Sequence, residues 1–221
     1  MKTFNQYITE KIKLSNNRFE NQHNGFEYVD LGLSSGTLWA TCNIGAKKPT
    51  DQGDLFAWGE TKTKQLYKMD TYAYGCYPED IIKYNEVDKL TVLDKVDDAA
   101  HVNMGGKWHI PTEEQFNELL ELEFEYVKDY NGYRVSGLLF WGKNDTELFL
   151  PIINFKIDED HMQYKNPEMI RYWTSTRYDS KNYDDNKYAR SIIFSRSYNL
   201  ELAVYNSIRY AGCGVRAVFK K

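Results

Sequence analysis

The stretch "GGKWHIPTEEQFNELLELE", from Gly105 to Glu123, carries the signals with which a chain enters a helix. Thr112 is followed three residues later by Gln115, which is the capping-box pattern of a helix N-terminus. Pro111 stands just before this cap, where no helical hydrogen bond depends on a backbone N–H. Apolar residues then recur at helical spacing. The sequence therefore predicts one main helix over about residues 112–127.

The composition excludes several classes of partner. The 221 residues include 32 Asp and Glu against 28 Lys and Arg, for a net charge of −4. This sign disfavours a protein that binds nucleic acid through its phosphates. No apolar run approaches the roughly 18 residues that a membrane helix needs. The first residues also lack the apolar core of a signal peptide. We expect no nucleic-acid partner, no membrane insertion and no signal peptide.

The N-terminal segment has a different character from the rest of the chain. Its apolar residues recur at helical spacing and predict a short amphipathic helix over about residues 3–13: Phe4, Tyr7, Ile8 and Ile12. A polar, Asn-rich stretch, residues 15–25, follows. We predict that residues 1–22 form a docking helix and arm, and that 23–221 form one domain. Docking onto its own domain and docking onto another subunit both stay open.

The remainder of the chain is dominated by short strand patterns. Residues 28–42 read as strand, Gly/Ser turn and strand, which is the pattern of a hairpin. Strand-like segments recur after Asn131-Gly132 and throughout the final third, whereas helical patterns are few. Strands and helices are segregated rather than alternating, so the sequence predicts an α+β fold of mixed short strands with one main helix.

Several segments resemble a known family. They are "YVDLGLSSGTLWATCNIGA", "GDLFAWGET", "DDAAHVNMGGKWHIPTEEQFNELL", "YWTST" and "GCGVRAVF". In this order they are similar to the Fibrobacter succinogenes major paralogous domain, over roughly residues 26–219. The resemblance implies a C-type lectin-like fold of the formylglycine-generating-enzyme branch. It further implies that Trp108, Ile110 and Phe116 are core residues and that Thr112 caps the main helix.

The chemistry expected of such folds lacks its residues here. The EPN and QPD triplets of calcium-dependent lectins are absent, and Trp173-Thr174-Ser175 stands where a carboxylate-bearing triplet would be. Formylglycine-type oxidation requires two cooperating cysteines, whereas Cys42 and Cys213 are far apart in sequence. The four histidines have no motif neighbours. We predict no catalytic residue, no metal and no cofactor. A single Cys42–Cys213 disulfide stays open.

The C-terminal third has the composition of a recognition surface. Between Tyr172 and Tyr210 the chain holds seven Tyr, four Asn and six Ser, residue types that dominate antibody paratopes. We predict that the connectors of this region expose a ligand-binding set: Tyr178, Asn182, Tyr183, Asn186, Tyr198, Asn199, Tyr205 and Asn206. A polar loop face without any ligand is the alternative interpretation.

These observations favour a non-catalytic recognition or adhesion module. The opening peptide, "MKTFNQYITEKIKL", resembles short N-terminal peptides on proteins of crAss-like phages that infect gut Bacteroidales. This resemblance implies a virion protein that docks through residues 1–22 and binds a host surface glycan or protein. Two alternatives remain. One is a cytoplasmic enzyme of formylglycine-oxidase ancestry, and the other is a purely structural capsid or tail cement protein.

Overall fold

The computed structural model of the chain describes residues 21–75, 77, 80–153, 155–157, 169–179, 186–196 and 198–221. The predicted N-terminal helix, with Phe4, Tyr7, Ile8 and Ile12, lies outside these residues. The described strands are β1 (Gln22–His23), β2 (Phe26–Asp30), β3 (Thr37–Ala40), β4 (Phe124–Val127), β5 (Gly137–Trp141), β6 (Glu147–Pro151), β7 (Met169–Arg177), β8 (Tyr188–Ser195), β9 (Leu200–Ile208) and β10 (Val218–Lys220). The α-helices among the described residues are α1 (Ala99–Met104) and α2 (Glu113–Leu120).

The strands form three antiparallel sheets. Their orders are β1-β2-β3-β10, β4-β5-β6 and β7-β8-β9. The predicted hairpin is present, since β2 pairs with β3. Strand β3 also pairs with β10, where Trp39 lies opposite Val218, so the two ends of the described chain meet in one sheet. This arrangement confirms the α+β class.

The segment quoted at the outset is a structural corner. The Thr112 side chain accepts a hydrogen bond from the Gln115 N–H at 3.3 Å, and the Gln115 side chain accepts one from the Thr112 N–H at 2.9 Å. The predicted capping box is therefore confirmed. Just upstream, His109 exchanges two backbone hydrogen bonds of 2.9 Å with Val218. The corner thus ties the start of α2 to the last strand.

The predicted end of the main helix was wrong. Helix α2 ends at Leu120, and Phe124–Val127, which we had expected to continue it, is strand β4. From Glu121 to Tyr126 charged and apolar side chains alternate with a period of two, which is a strand pattern. Strand β4 pairs with β5, so its backbone hydrogen bonds are made across a sheet. Pairing of β4 with β5 therefore outweighs the helical pattern that had placed Val127 on the apolar face of the helix.

The two larger hydrophobic clusters of the described residues lie on opposite sides of β7. A smaller third cluster contains Ala57, Tyr67, Tyr72 and Tyr210. The first core cluster is built around Trp58, Trp108 and Trp173, and the second around Trp39, Phe116 and Tyr172. Tyr172 and Trp173 are neighbours on β7 but point into different clusters, because successive side chains of a strand face opposite sides. The sheet is therefore buried on both faces.

The buried residues predicted from the resemblance are confirmed as core. Trp108 and Phe116 are fully buried, and Ile110 is 2% exposed. Trp173, which was not part of that prediction, is fully buried as well. Phe116 belongs to a different cluster from the two tryptophans. The interior that these aromatics stabilise is therefore divided into two layers.

Trp58 and Trp173 connect two distant segments of the chain through hydrogen bonds of their indole N–H groups. The Trp58 indole N–H donates to the Thr174 carbonyl, and the Trp173 indole N–H donates to the Phe56 carbonyl, both at 2.8 Å. Each ring therefore lies in the core and fixes the backbone from which the other ring projects. Such pairing satisfies the one polar group of each indole in the interior.

A buried carboxylate holds the corner before α2. One Asp98 oxygen accepts hydrogen bonds from the N–H groups of Ala100 at 2.8 Å and His101 at 3.0 Å. The other accepts from the Ile110 N–H at 2.9 Å. Burial raises the pKa of Asp98, and these backbone donors act in the opposite direction. One side chain thus caps α1 and anchors the entry to α2.

Replacing Asp98 with Ala should destabilise the fold strongly. The change removes a helix cap and leaves the buried Ile110 N–H without its acceptor, for an expected loss of about 2–4 kcal/mol in the free energy of unfolding. Denaturant titration followed by tryptophan fluorescence measures this loss. Asp70→Ala, at an exposed aspartate, is the matched control and should cost less than about 0.5 kcal/mol. Equal stability of the two variants would contradict the anchoring role.

Candidate functional site

The structure disperses the predicted ligand-binding set. Asn182 and Tyr183 lie outside the described residues. Tyr178 follows the end of β7, whereas Tyr198 and Asn199 lie at the β8–β9 turn and are exposed. Because β8 runs eight residues between these two ends, they are separated by about 20 Å. Among the described residues, the set therefore does not form one continuous surface.

Three of the predicted positions are not exposed connector residues. Asn186 is only 4% exposed. Tyr205 and Asn206 lie within β9, opposite Ser191 and Arg190 of β8. Tyr205 is half-buried against the first core cluster, and its hydroxyl donates to the Glu201 carbonyl at 3.2 Å. Tyr205 and Asn206 are not connector residues because strand pairing extends further along β9 than the sequence suggests, although Asn206 is exposed. Asn186 was predicted to be exposed, and the structure buries it.

Two predicted residues, Tyr178 and Asn206, do meet around Arg190. The guanidinium lies 4.9 Å from the Tyr178 ring centre, and its Nη1 donates to the Asn206 side-chain oxygen at 2.7 Å. Its Nε lies 3.0 Å from a Glu113 carboxylate oxygen. Arg190 lies on β8, Asn206 on β9 and Glu113 in the first turn of α2, whereas Tyr178 directly follows β7. Much of the hydrogen-bonding capacity of the Arg190 guanidinium is therefore used within the cluster.

A concave surface lies in another part of the molecule, between the β2–β3 hairpin and residues 130–133. We call it the hairpin groove. Its volume is about 620 Å³, within the usual range of small-ligand sites. Residues of contrasting chemistry line it, among them Phe26, Glu27, Thr41, Cys42, Lys47 and Tyr133. Aromatic, hydroxyl and charged groups are thus available to one ligand.

The floor of the hairpin groove is fixed from behind by Arg216. This side chain is fully buried, and its Nη1 donates to the carbonyls of Ala40 at 3.1 Å and Thr41 at 2.8 Å. Its Nε donates to the Asn43 side-chain oxygen at 2.8 Å. All three acceptors belong to residues that line the groove. Burial lowers the pKa of Arg216, whereas the neighbouring Tyr172 acts to raise it.

Each side of the groove presents an exposed aromatic ring, one from strand β2 and one from the loop of residues 130–133. Phe26 is 40% exposed and Tyr133 is 59% exposed. The nearby Tyr130 ring stacks on Phe149 with centres 4.0 Å apart, and its hydroxyl donates to Glu147 at 2.8 Å. Burial and this carboxylate raise the pKa of Tyr130 to about 12. The contacts of Tyr130 therefore anchor the loop that carries Tyr133.

Sequence reasoning missed the hairpin groove. The available signal was Arg216, a lone cation within the apolar run "CGVRAVF". Charged residues in such a position are rarely buried without partners. Its acceptors are backbone carbonyls of residues 40 and 41, about 175 positions away in sequence. No local pattern indicates that contact.

Comparisons with known proteins give no relative for this chain: no family model, no curated protein and no solved structure matches it. Within the described ranges, no three His, Cys, Asp or Glu side chains are placed to hold a metal ion. No helix in the described part of the chain is long and apolar enough to cross a membrane.

The two described cysteines are separate thiols. Cys42 and Cys213 are both free, so the disulfide left open by the sequence is not formed. Cys213 is fully buried and exchanges two 3.0 Å backbone hydrogen bonds with Phe56. Burial raises the pKa of Cys213 to about 12, against a smaller opposing effect of Arg171. A thiol in this state is protonated at neutral pH and does not act as a nucleophile.

Native Cys213 should resist alkylation. At pH 8.5 iodoacetamide should modify it at least about a thousandfold more slowly than in the unfolded chain, since thiolate is the reactive form. Peptide-resolved mass spectrometry measures this rate, with the half-buried Cys42 as internal reference. The unfolded thiol loses its proton above about pH 8.5 and the native one does not, so this group should favour unfolding as pH rises. Native labelling of Cys213 as fast as Cys42 would contradict the assignment.

Proposed function

We propose that the protein is a non-catalytic recognition module on a C-type lectin-like scaffold, carried on a phage virion, that binds a glycan or protein of the host surface. The observation that carries this proposal is the hairpin groove, in which exposed aromatic rings and polar groups surround a floor fixed by a buried arginine. The primary ligand site of the proposal is therefore this groove. The Arg190 cluster, with Tyr178 and Asn206, is a secondary surface.

The side chains of the groove suit a ligand that is both apolar and polar. Tyr133 and Phe26 offer exposed aromatic surface, on which the C–H face of a sugar ring or an apolar side chain can pack. Thr41 and Lys47 supply hydrogen-bonding groups along the same surface. A few polar groups among apolar ones are what ligand pockets use to set orientation.

The floor of the hairpin groove is held in place before any ligand binds. The hydrogen bonds of Arg216 fix the carbonyls of Ala40 and Thr41 in place. Ordering of flexible groups on binding costs free energy, so a preformed surface retains more of its contact energy as affinity. This supports a module whose role is recognition.

The enzyme alternative is weakened by the state of Cys213. Thiol-based oxidation requires an accessible cysteine that can lose its proton, whereas this one is fully buried and its pKa is raised. The cement alternative makes a different prediction, since a purely structural protein requires no ligand in its groove. Ligand binding therefore distinguishes it from our proposal.

Binding to surface glycans and to Bacteroidales cells tests the proposal. We expect the full chain to bind a subset of an immobilised glycan array or the cells. Tyr133→Ala should weaken that binding by about tenfold or more, equivalent to about 1.4 kcal/mol for an aromatic contact residue. The matched control is Tyr77→Ala, because Tyr77 is 52% exposed but does not line the groove.

Two results would contradict this assignment. Absence of binding to both the array and the cells would favour the cement alternative. Equal loss of affinity in Tyr133→Ala and Tyr77→Ala would show that the hairpin groove is not the site. Circular dichroism and thermal unfolding of each variant confirm that the fold is retained.

The assembly role is proposed for residues 1–22. Deleting residues 1–20, which keeps strand β1 and its pairing with β2, should abolish co-sedimentation with phage particles, because the apolar stripe with Phe4 and Ile8 is removed. Thermal unfolding of the deleted chain should stay close to that of the full chain. Retained co-sedimentation after the deletion would refute the docking hypothesis without affecting the groove.

A further inference from the structure

A second concave surface is built from the corner that precedes α2. It has a volume of about 340 Å³ and we call it the Ser175 groove. Ser175 lies at the junction of its walls, because the Ser175 carbonyl accepts from the Leu93 N–H at 3.0 Å and the Ser175 N–H donates to the Pro111 carbonyl at 2.8 Å. The backbone at this position is therefore fixed from two sides.

The Ser175 hydroxyl has no hydrogen-bond partner although the residue is only 2% exposed. Its neighbours behave differently. The Thr174 hydroxyl donates to the Arg190 carbonyl at 2.9 Å, and the Thr176 hydroxyl accepts from the Glu113 N–H at 3.0 Å. A buried hydroxyl without a partner is costly, and such groups in native proteins commonly mark a missing water or ion. Ser175 is one of the residues that line the groove.

Two lysines and one acid line the Ser175 groove. They are Lys95, Lys107 and Asp98, and the side chains of His101 and His109 also line it. The oxygens of Asp98 already accept three backbone N–H groups. Its carboxylate is therefore committed to the corner, whereas the lysines are exposed. Because the two lysines outnumber the one carboxylate, the lining favours an anion over a cation.

We infer that the Ser175 groove binds a tetrahedral oxyanion, such as a sulfate or a phosphate monoester on a small ligand. The Ser175 hydroxyl donates a hydrogen bond to one anion oxygen, and Lys107 and Lys95 supply the balancing charge. No bond is made or broken. This site is separate from the hairpin groove, so it does not depend on the function proposed above.

Titration of the full chain with sodium sulfate tests the inference, with sodium chloride matching the ionic strength. Calorimetry should show saturable binding of sulfate to the wild-type protein. Ser175→Ala should weaken it about fivefold through loss of one hydrogen bond. Lys107→Gln should weaken it about threefold, whereas Lys128→Gln, at an exposed lysine outside the groove, should leave it unchanged.

A second measurement separates specific binding from the general stabilising effect of sulfate on proteins. The sulfate-dependent rise in Tm should be smaller in Ser175→Ala than in the wild type, although the variant without sulfate should be at least as stable, since it lacks the unpaired hydroxyl. Equal rises in both proteins would overturn the inference, as would a titration without saturation.

Inorganic phosphate and acetate define the anion class. Saturable binding of sulfate or phosphate, with a weaker response to acetate, supports a tetrahedral ligand. Binding of acetate alone would overturn that assignment. Unchanged sulfate affinity in both Ser175→Ala and Lys107→Gln would place the ion elsewhere on the protein.

Discussion

The reciprocal hydrogen bonds of Trp58 and Trp173 are the constraint on which the rest of the structure depends. Each indole fills the first core cluster and binds the backbone beside the other. Strand β7 therefore has a fixed position, and Tyr172 on its opposite side enters the second cluster. Both layers of the core are therefore in contact with this one strand.

Local signals predicted the local parts of the fold. The capping box at Thr112 and Gln115 depends on residues three positions apart, so the sequence alone identified it. The end of the helix depends on β4 pairing with β5, a contact that local spacing does not reveal. The extent of β9, and hence the burial of Tyr205, depends in the same way on its register with β8. Local sequence patterns do not predict the ends of elements that are set by pairing with distant strands.

The candidate sites were also missed where they depend on contacts between distant segments. Composition directed attention to the tyrosine-rich final third, yet Tyr172 and Tyr210 in that third are buried core residues. The hairpin groove depends on Arg216 reaching carbonyls near the start of the domain. The Ser175 groove depends on one hydroxyl that lacks a partner. Neither property is visible in residue type, because both are relations between distant backbone segments.

The pairing of β3 with β10 has a consequence for biosynthesis. Residues 37–40 hydrogen-bond with residues 218–220, so this sheet joins segments separated by nearly the whole domain. Contacts of such long sequence separation form slowly, because a large loop must close first. During translation the β2–β3 hairpin emerges before β10, and the edge of β3 that pairs with β10 stays unpaired until β10 leaves the ribosome. The nascent chain is thus exposed to aggregation for most of its synthesis.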